Sequence, residues 1–422
     1  MSGPVQPMPT PAEFERQLTQ FINVTLLGGA AAVDRNTRLF EDGYMNSLRI
    51  LDLIAVVEKT LGRRIPDRAV RLANFRTIAA IVAAFHPDAS APQPSPAPEP
   101  DRLFERRADR VRFASPVDEL TRRGDLRITG AGQAALSGVA IDVLAAVDRT
   151  VLGWARALGA REHRYPSLID LAVLERAGQV ESFPQHLTLV IPSEGREAVA
   201  VEESPSSRAS GLSTALAPAV CYHAYPEWEG KTLGGEPEVL TAVGRCYRYE
   251  SGNHVSLERL WDFTMREIIV LGTRDQVEAQ RRSLVRQAGE LVTRLGLDAI
   301  IDPATDPFFT AGDEGRRLMQ QAGSLKHELL LTVDATGRTI AAASFNHHHD
   351  YFGTRFGISL ADGAPAHSGC VAFGLERWVL AVLAQLGVDD REWPEAARAW
   401  LVEHRVLDEA SARGWPSPGA RA

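Results

Sequence analysis

Long apolar runs, cysteine and nucleotide-binding glycine loops are scarce or missing in this 422-residue chain, and each shortage removes a class of protein. No stretch approaches the roughly 20 consecutive apolar residues of a membrane-spanning helix. The opening residues, MSGPVQPMPTPAEFE, lack the basic and apolar regions of a secretory signal. Three cysteines do not make a disulfide framework, so the expected location is the cytoplasm and no membrane partner is expected. Neither Gly-x-x-x-x-Gly-Lys nor a strand-linked Gly-x-Gly-x-x-Gly occurs, which argues against P-loop and Rossmann nucleotide sites. A basic excess is missing too. The net charge of −8 argues against a chain built mainly to hold nucleic acid, tRNA included. What remains is an ordinary globular composition, 45% hydrophobic and 24% charged, with length for two or three domains.

Residues 10–86 read as a small four-helix bundle. Glu13–Leu26 is the first helix. Ser47–Leu61 is the second, with Ile50, Leu53, Ile54, Val57 and Leu61 at helical spacing, and Thr77–Phe85 carries a further apolar stripe. Between the first two lies LFEDGYMNSLRIL, which resembles the loop and helix start of a carrier protein, where a serine in an Asp-Ser-Leu context accepts 4′-phosphopantetheine. The matching residue is Ser47. A serine at a helix N-terminus is exposed, and the helix dipole favours the phosphodiester that modification creates; the alternative is a plain N-cap. Phe40, Gly43 and the downstream IPDRAVRLANFRTIAAI favour the carrier reading, while Asn46 departs from the usual Asp. Residues 87–101 follow as a Pro-rich linker, six prolines falling between Pro87 and Pro100, expected to be a semi-rigid spacer.

Residues 102–422 read as the main domain. Asp101–Arg123 is arginine-rich (Arg102, Arg106, Arg107, Arg110, Arg112) and reads as a solvated helix face. Leu136, Val139, Ala140, Val143, Leu144, Val147 and Val151 trace a buried helical stripe. PSLIDLAVLERAGQVESFP reads as a helix ending near Gly178 with a turn at Pro184. The chain then reaches GRCYRYESGNHVSLERLWDFTMREIIVLG, Gly244 to Gly272, within which two strands are expected, Leu240–Glu250 and Asp262–Leu271, joined by a polar loop. On that reading Arg248 and Glu250 share a face of the first strand, and the neighbours Arg266 and Glu267 take opposite faces of the second. An Arg fork suits phosphate and a carboxylate suits an amino group.

Tyr247-Arg248-Tyr249-Glu250 resembles motif 2 of the class II aminoacyl-tRNA synthetases, and Gly374-Leu375-Glu376-Arg377 their motif 3. CYHAYPEWEG, LWDFTMREIIVLG, ATDPFF, LKHELLL, SFNHHHDYFG and SGCVAFGLERW occur in one order from about Arg164 to Leu383. Together they resemble the amino acid:carrier protein ligases, which are similar to the atypical zinc-dependent seryl-tRNA synthetases. The resemblance implies an α+β fold, an antiparallel sheet with flanking helices, preceded here by the all-α carrier bundle. It implies a homodimer, since the LIDLAVLERAG region matches a degenerate motif 1. It implies Cys221, Glu267 and Cys370 as ligands of Zn²⁺, with a fourth position open for the substrate amine. It assigns Arg248 and Arg377 as catalytic residues on the ATP phosphates, Glu250 to the adenine amino group, Phe263 to stacking on the base, and Asn346 to the amino-acid region. Glu328 is a candidate for Mg²⁺. Cys246 is read as packing. The run His347-His348-His349 is read as part of the site wall beside Asn346 and against a metal, because consecutive strand residues alternate faces. The expected activity is ATP-dependent activation of a small amino acid, glycine or alanine, and its transfer to a carrier protein in cis or in trans. Alternatives are a tRNA-aminoacylating enzyme or a non-catalytic binding module.

Overall fold

In the computed structural model of the chain the described residues are 9–26, 33–39, 44, 47–65, 72–87, 102–108, 115–191, 213–304 and 326–404. They divide into two units, Met1–Arg102 with Pro303–His327 and Leu103–Asp302 with Glu328–Ala422.

In the first unit, α1 (Pro11–Gln20) opens on a capping box in which Thr10 and Glu13 satisfy each other's backbone N–H groups. It runs on as a π-helical stretch, Phe21–Leu26, so the expected first helix is present with a widened last turn. Helix α2 (Ser47–Leu61) has the expected bounds, with Ser47 as its first residue. A single turn, α3 (Leu72–Phe75), precedes α4 (Ile78–Phe85), and Thr77, expected inside that last helix, is its N-cap. Phe14, Leu18, Ile22, Leu53, Val57, Phe75, Ile78, Ile81 and Phe85 close one apolar core. The side chain of Ser47, together with Phe40, Gly43, Asn46 and spacer residues 88–100, lies outside the described residues.

The second unit begins with a short edge strand, β1 (Phe104–Arg106). Helix α5 (Pro116–Arg123), the hairpin β2 (Leu126–Gly130) and β3 (Gln133–Leu136), and the long α6 (Gly138–Ala157) follow. The arginine-rich segment is therefore not one helix. Phe104 pairs with Ile301 and packs on the core, which draws that stretch into the sheet, and Arg110 and Arg112 lie outside the described residues. After β4 (Arg161–His163) come β5 (Leu168–Asp170), α7 (Leu171–Arg176), α8 (Gln179–Ser182) and β6 (Thr214–Leu216). The helix expected across LIDLAVLERAG thus starts late. Leu168–Asp170 pairs with β6, and Asp170 accepts from the N–H of Ala172 to begin α7.

The centre is built from β7 (Glu238–Tyr247) and β8 (Asp262–Gly272), followed by α9 (Arg274–Leu295), β9 (Ala299–Pro303), β10 (Lys326–Thr332) and β11 (Thr339–His349). A short α10 (Tyr351–Phe356), β12 (His367–Gly374), α11 (Leu375–Leu386) and α12 (Glu395–His404) complete it. Eight strands form one sheet in the order β1-β9-β10-β11-β12-β8-β7-β4. Pairs β7–β8, β8–β12 and β11–β12 are antiparallel, and β4 joins β7 in parallel. This is the expected α+β architecture.

Strand alternation sorts the sheet into two faces. Ile268, Val270, Phe345, Val371 and Phe373 enter the core shared with α6, α9 and α11. Met265, Ile269, Leu271, Cys370 and Ala372 enter a second core with Tyr225, Trp228, Phe352 and Phe356. Strand β8 is covered on both faces, hence its unbroken Ile-Ile-Val-Leu run.

Arg266 and Glu267 take opposite faces of β8, as the period requires, and both are buried. Arg266 donates to both carboxylate oxygens of Asp148 on α6 at 2.6 and 3.0 Å and lies 3.4 Å from Glu162. Removing one partner of a buried pair strands the other. Arg266→Leu is expected to lower unfolding stability by about 3–5 kcal/mol, read from urea midpoints; an unchanged midpoint would refute the account.

Candidate active site and metal centre

The first expected strand stops short. It ends at Tyr247, because Tyr249 turns into αR and Glu250 takes a left-handed φ of 49°, starting a 3₁₀ turn, Glu250–Gly252. Arg248 and Glu250 therefore do not share a strand face. The turn sends Glu250 to Arg259, 3.2 Å away. Arg248 folds back so that its Nε donates to the carbonyl of Pro218 at 2.9 Å and its guanidinium lies 5.5 Å from the centroid of Phe263. One face of Phe263, the residue expected to stack on a base, is thus covered by Arg248.

Cys221, Glu267 and Cys370, distant in sequence, meet on the α10 side of the sheet. One ligand atom from each lies within 4.8 Å of the others, and all three residues are buried. Cys370 is on β12 directly beside Ile269 of β8, and a 3₁₀ turn, Cys221–His223, sets Cys221 over the Glu267 carboxylate, which accepts from the Cys221 N–H. Burial, together with the Cys370 sulfur, pushes the Glu267 carboxyl up to about 8. Hydrogen bonding to Cys370 and burial drive the Cys221 thiol well up. The same hydrogen bond, with help from His348, holds Cys370 well down. Two sulfurs and a carboxylate enclosed together form a donor set suited to a borderline-soft dication.

Asn346 lies against this trio, its amide 3.5 Å from the Cys370 sulfur and 3.0 Å from Ser344 Oγ. Arg377, on α11, is half-buried and donates to the carbonyls of Glu258 at 2.8 Å and Ala341 at 2.9 Å. Burial and then the charge of Arg248 draw it below its ordinary value. The neighbouring Glu376 accepts from the backbone and hydroxyl of Thr264, fixing α11 to β8. Glu328 lies half-buried on β10, and its charge reaches Arg377. Cys246 is fully buried in the apolar core, consistent with packing. Ser47 belongs to the other unit.

Residues 215–386 match the class II tRNA synthetase core domain (G, H, P, S and T), a span that holds every candidate above except Ser47. Amino acid–[acyl-carrier-protein] ligase 1 of Bradyrhizobium diazoefficiens is 35% identical over 272 residues, 62% of this chain and 82% of that protein. Ligase 2 of the same organism is 37% identical over 249 residues, 56% of this chain and 73% of that one. The chain belongs to the amino acid–[acyl-carrier-protein] ligases. It is accordingly a ligase with a class II synthetase-like fold. The type-2 serine–tRNA ligase of Methanococcus aeolicus stands further off, 27% identical over 56% of this chain and 49% of its own. Among solved structures, M. kandleri seryl-tRNA synthetase in complex with A. aeolicus tRNASec superposes with a TM-score of 0.61 at 22% identity, covering 81% of this chain and 71% of that one, a likeness of fold.

His348, expected with its neighbours in the wall beside Asn346, lies against the trio of Cys221, Glu267 and Cys370. Its Nε2 lies 3.7 Å from the Cys370 sulfur, its Nδ1 3.2 Å from Ser368 Oγ and 3.5 Å from Tyr225 Oη. Period-two alternation from Asn346 puts residue 348 on the same face. Among the described residues no helix is long and apolar enough to cross a membrane.

Because the folded protein holds the proton on Glu267 more tightly than the unfolded chain does, the contribution of Glu267 to the stability of metal-free protein is full below the ordinary carboxylate value of 4.5. It is lost as pH rises through about 8. Melting temperatures of chelator-treated ligase should fall across that window, and Glu267→Gln should flatten the fall. Zn²⁺ should restore stability most at the alkaline end, where its ligands are deprotonated. A pH-independent difference between Glu267→Gln and wild type would refute the assignment.

Proposed function

We propose that this ligase activates a small amino acid with ATP and transfers it to the phosphopantetheine thiol of a carrier protein. The observation that carries the reading is the juxtaposition of a buried Cys221–Glu267–Cys370 centre with two guanidinium groups committed to backbone carbonyls, Arg248 and Arg377. The charge of Arg248 is felt at both Glu267 and Arg377, which ties the two halves together.

Zn²⁺ held by Cys221, Glu267 and Cys370 would supply a Lewis-acid anchor for the substrate amine. Asn346 and His348 orient the Cys370 sulfur and line the amino-acid side. With the amine fixed, the substrate carboxylate oxygen attacks the α-phosphorus of ATP. The bond to the β-phosphate oxygen breaks and pyrophosphate leaves, giving the aminoacyl adenylate. Arg248 and Arg377 stabilise the charge that develops on the phosphates, and Glu328 is the candidate partner of Mg²⁺. For the base, Glu250 accepts from the adenine amino group and Phe263 stacks on the ring, which requires Arg248 to swing from that face onto phosphate. The carrier thiol, losing its proton to solvent or to the adenylate phosphate, then attacks the acyl carbon. The thioester forms and AMP departs.

The domain reading completes the proposal: residues 10–86 as a carrier bundle with Ser47 as the modified serine, 87–101 as a tether and 102–422 as the ligase domain. A homodimer, a cytoplasmic setting and glycine or alanine as substrate follow the family resemblance. The acceptor is a carrier and not tRNA: the carrier ligases are the relatives that this chain matches at 35% and 37% identity.

The test is intact mass after phosphopantetheinylation, with ATP, magnesium and a panel of small amino acids. The expected result is one added aminoacyl group, lost in Ser47→Ala if the acceptor is in cis and found on an added carrier if in trans. Charging of tRNA with no carrier product would overturn the reading. In amino-acid-dependent pyrophosphate exchange, Arg248→Ala should lose about 10²–10³-fold in kcat, with protein of unchanged melting temperature. Undiminished exchange would remove Arg248 from the phosphate site.

A further inference from the structure

We propose a second metal site in the ligase, on the opposite face of the sheet from Cys221, Glu267 and Cys370, formed by His347, His349 and His367 and taking a first-row divalent ion of the zinc class.

The alternation that sends Asn346 and His348 toward Cys370 sends His347 the other way, next to Phe345 and the α9 layer. The same alternation keeps residue 349 on the face of residue 347, and β11 is irregular at this point. His347 pairs with Gly369 and His349 with Ser368, a bulge, and His349 has a left-handed φ of 52°. The His349 ring lies beside that of His347, centroids 4.8 Å apart. His367, the first residue of β12, completes the group, its ring 5.5 Å from His347 and 5.9 Å from His349. One nitrogen from each of the three lies within 4.8 Å of the others. Thus the three consecutive histidines do diverge, as strand geometry requires, and the trio forms from two of them plus a residue of the neighbouring strand.

The second observation concerns hydrogen bonds. Among the described residues, Nε2 of His347 and Nδ1 of His367 are buried and without a partner, and His347 is only 6% exposed. Buried ring nitrogens are normally paired, and a neutral stacking cluster would leave these orphans unexplained. Burial, with the nearby rings, draws His347 down to about 2 and His349 to about 4, and His367 is lowered in the same direction. All three are therefore neutral imidazoles, the ligating form. The charges acting on the trio are mixed. Asp350 and Asp275 favour a cation, and Arg274 and Arg281 oppose it, the latter paired with both oxygens of Glu278 at 2.7 and 2.9 Å.

Three imidazoles and no carboxylate in the set select zinc, cobalt, nickel or copper over magnesium or calcium. Nitrogens bound to a tetrahedral zinc sit about 3.3 Å apart, so small ring rotations must draw the trio inward. The ion would brace the end of β11 against the start of β12. Because His348 lies between two of its ligands, it would also pin the strand segment that presents His348 to the Cys370 sulfur.

The test uses full-length protein without a polyhistidine tag, stripped by chelation and titrated with Co²⁺. Wild type is expected to take two equivalents, one giving a thiolate-to-cobalt charge-transfer band and the other only ligand-field absorption. Cys221→Ser/Cys370→Ser should lose the charge-transfer band and keep one equivalent. His349→Gln/His367→Gln, at half-buried positions chosen to spare the fold, should lose one equivalent and keep the band. Wild type that binds a single equivalent, or a His349→Gln/His367→Gln protein with undiminished stoichiometry, overturns the proposal. Failure of the cysteine centre reads out separately, as absence of the charge-transfer band, and leaves the histidine site to stand or fall on stoichiometry.

Discussion

The structure depends on how one central strand buries two opposite charges in succession. Arg266 and Glu267 are neighbours on β8, a strand covered on both faces, and neither reaches water. Burying an ion is costly unless the layer facing it supplies compensation, and the two layers do so differently. On the helical side Asp148 meets the guanidinium with two hydrogen bonds, so that charge is settled within the protein. On the other side Glu267 faces Cys221 and Cys370, and its burial, followed by the charge of the Cys370 sulfur, is why its carboxyl titrates so high. That side is left with grouped donors of the kind a cation would settle. The two faces of the strand differ in that respect.

The same alternation governs β11. Its even positions, Ser344, Asn346 and His348, serve the cysteine centre, while Phe345 and His347 belong to the opposite layer. The neighbouring β12 divides likewise, Cys370 to one side and Val371 and Phe373 to the other. Close approach makes this possible at Gly369: a Cβ there would lie 2.8 Å from both the Asn346 carbonyl and a Val277 methyl. A side chain at that position would push apart the strand pair that carries both groups of ligands.

Much of this was legible from periodicity alone. The bounds of α2 follow from Ile50, Leu53, Val57 and Leu61 at helical spacing, and the opposed faces of Arg266 and Glu267 follow from a period of two. What was not legible is where periodicity breaks. The first strand was expected to reach Glu250, and nothing in Tyr-Arg-Tyr-Glu announces that a non-glycine residue takes φ of 49°. The histidine run diverges as strand alternation requires, and what its spacing does not announce is that His367 of the neighbouring β12 meets His347 and His349. Cys221, Glu267 and Cys370 are too far apart in sequence for spacing to join them; family resemblance pointed to them, and the register of β8 with β12 shows how they meet.

The two arginines show why binding energy can be directed at the reacting centre. Arg377 is half-buried, and burial followed by the charge of Arg248 lowers it while Glu250 and Glu328 act the other way. Two like charges held near one another favour the entry of an anion, and the carbonyls of Glu258, Ala341 and Pro218 hold the guanidiniums by hydrogen bonds that leave their charge in place. On the proposed reaction that charge would act most strongly where negative charge develops, at the pentavalent α-phosphorus. Arg377 would meet it from where it stands, whereas Arg248 would first exchange the ring of Phe263 for phosphate as the nucleotide enters.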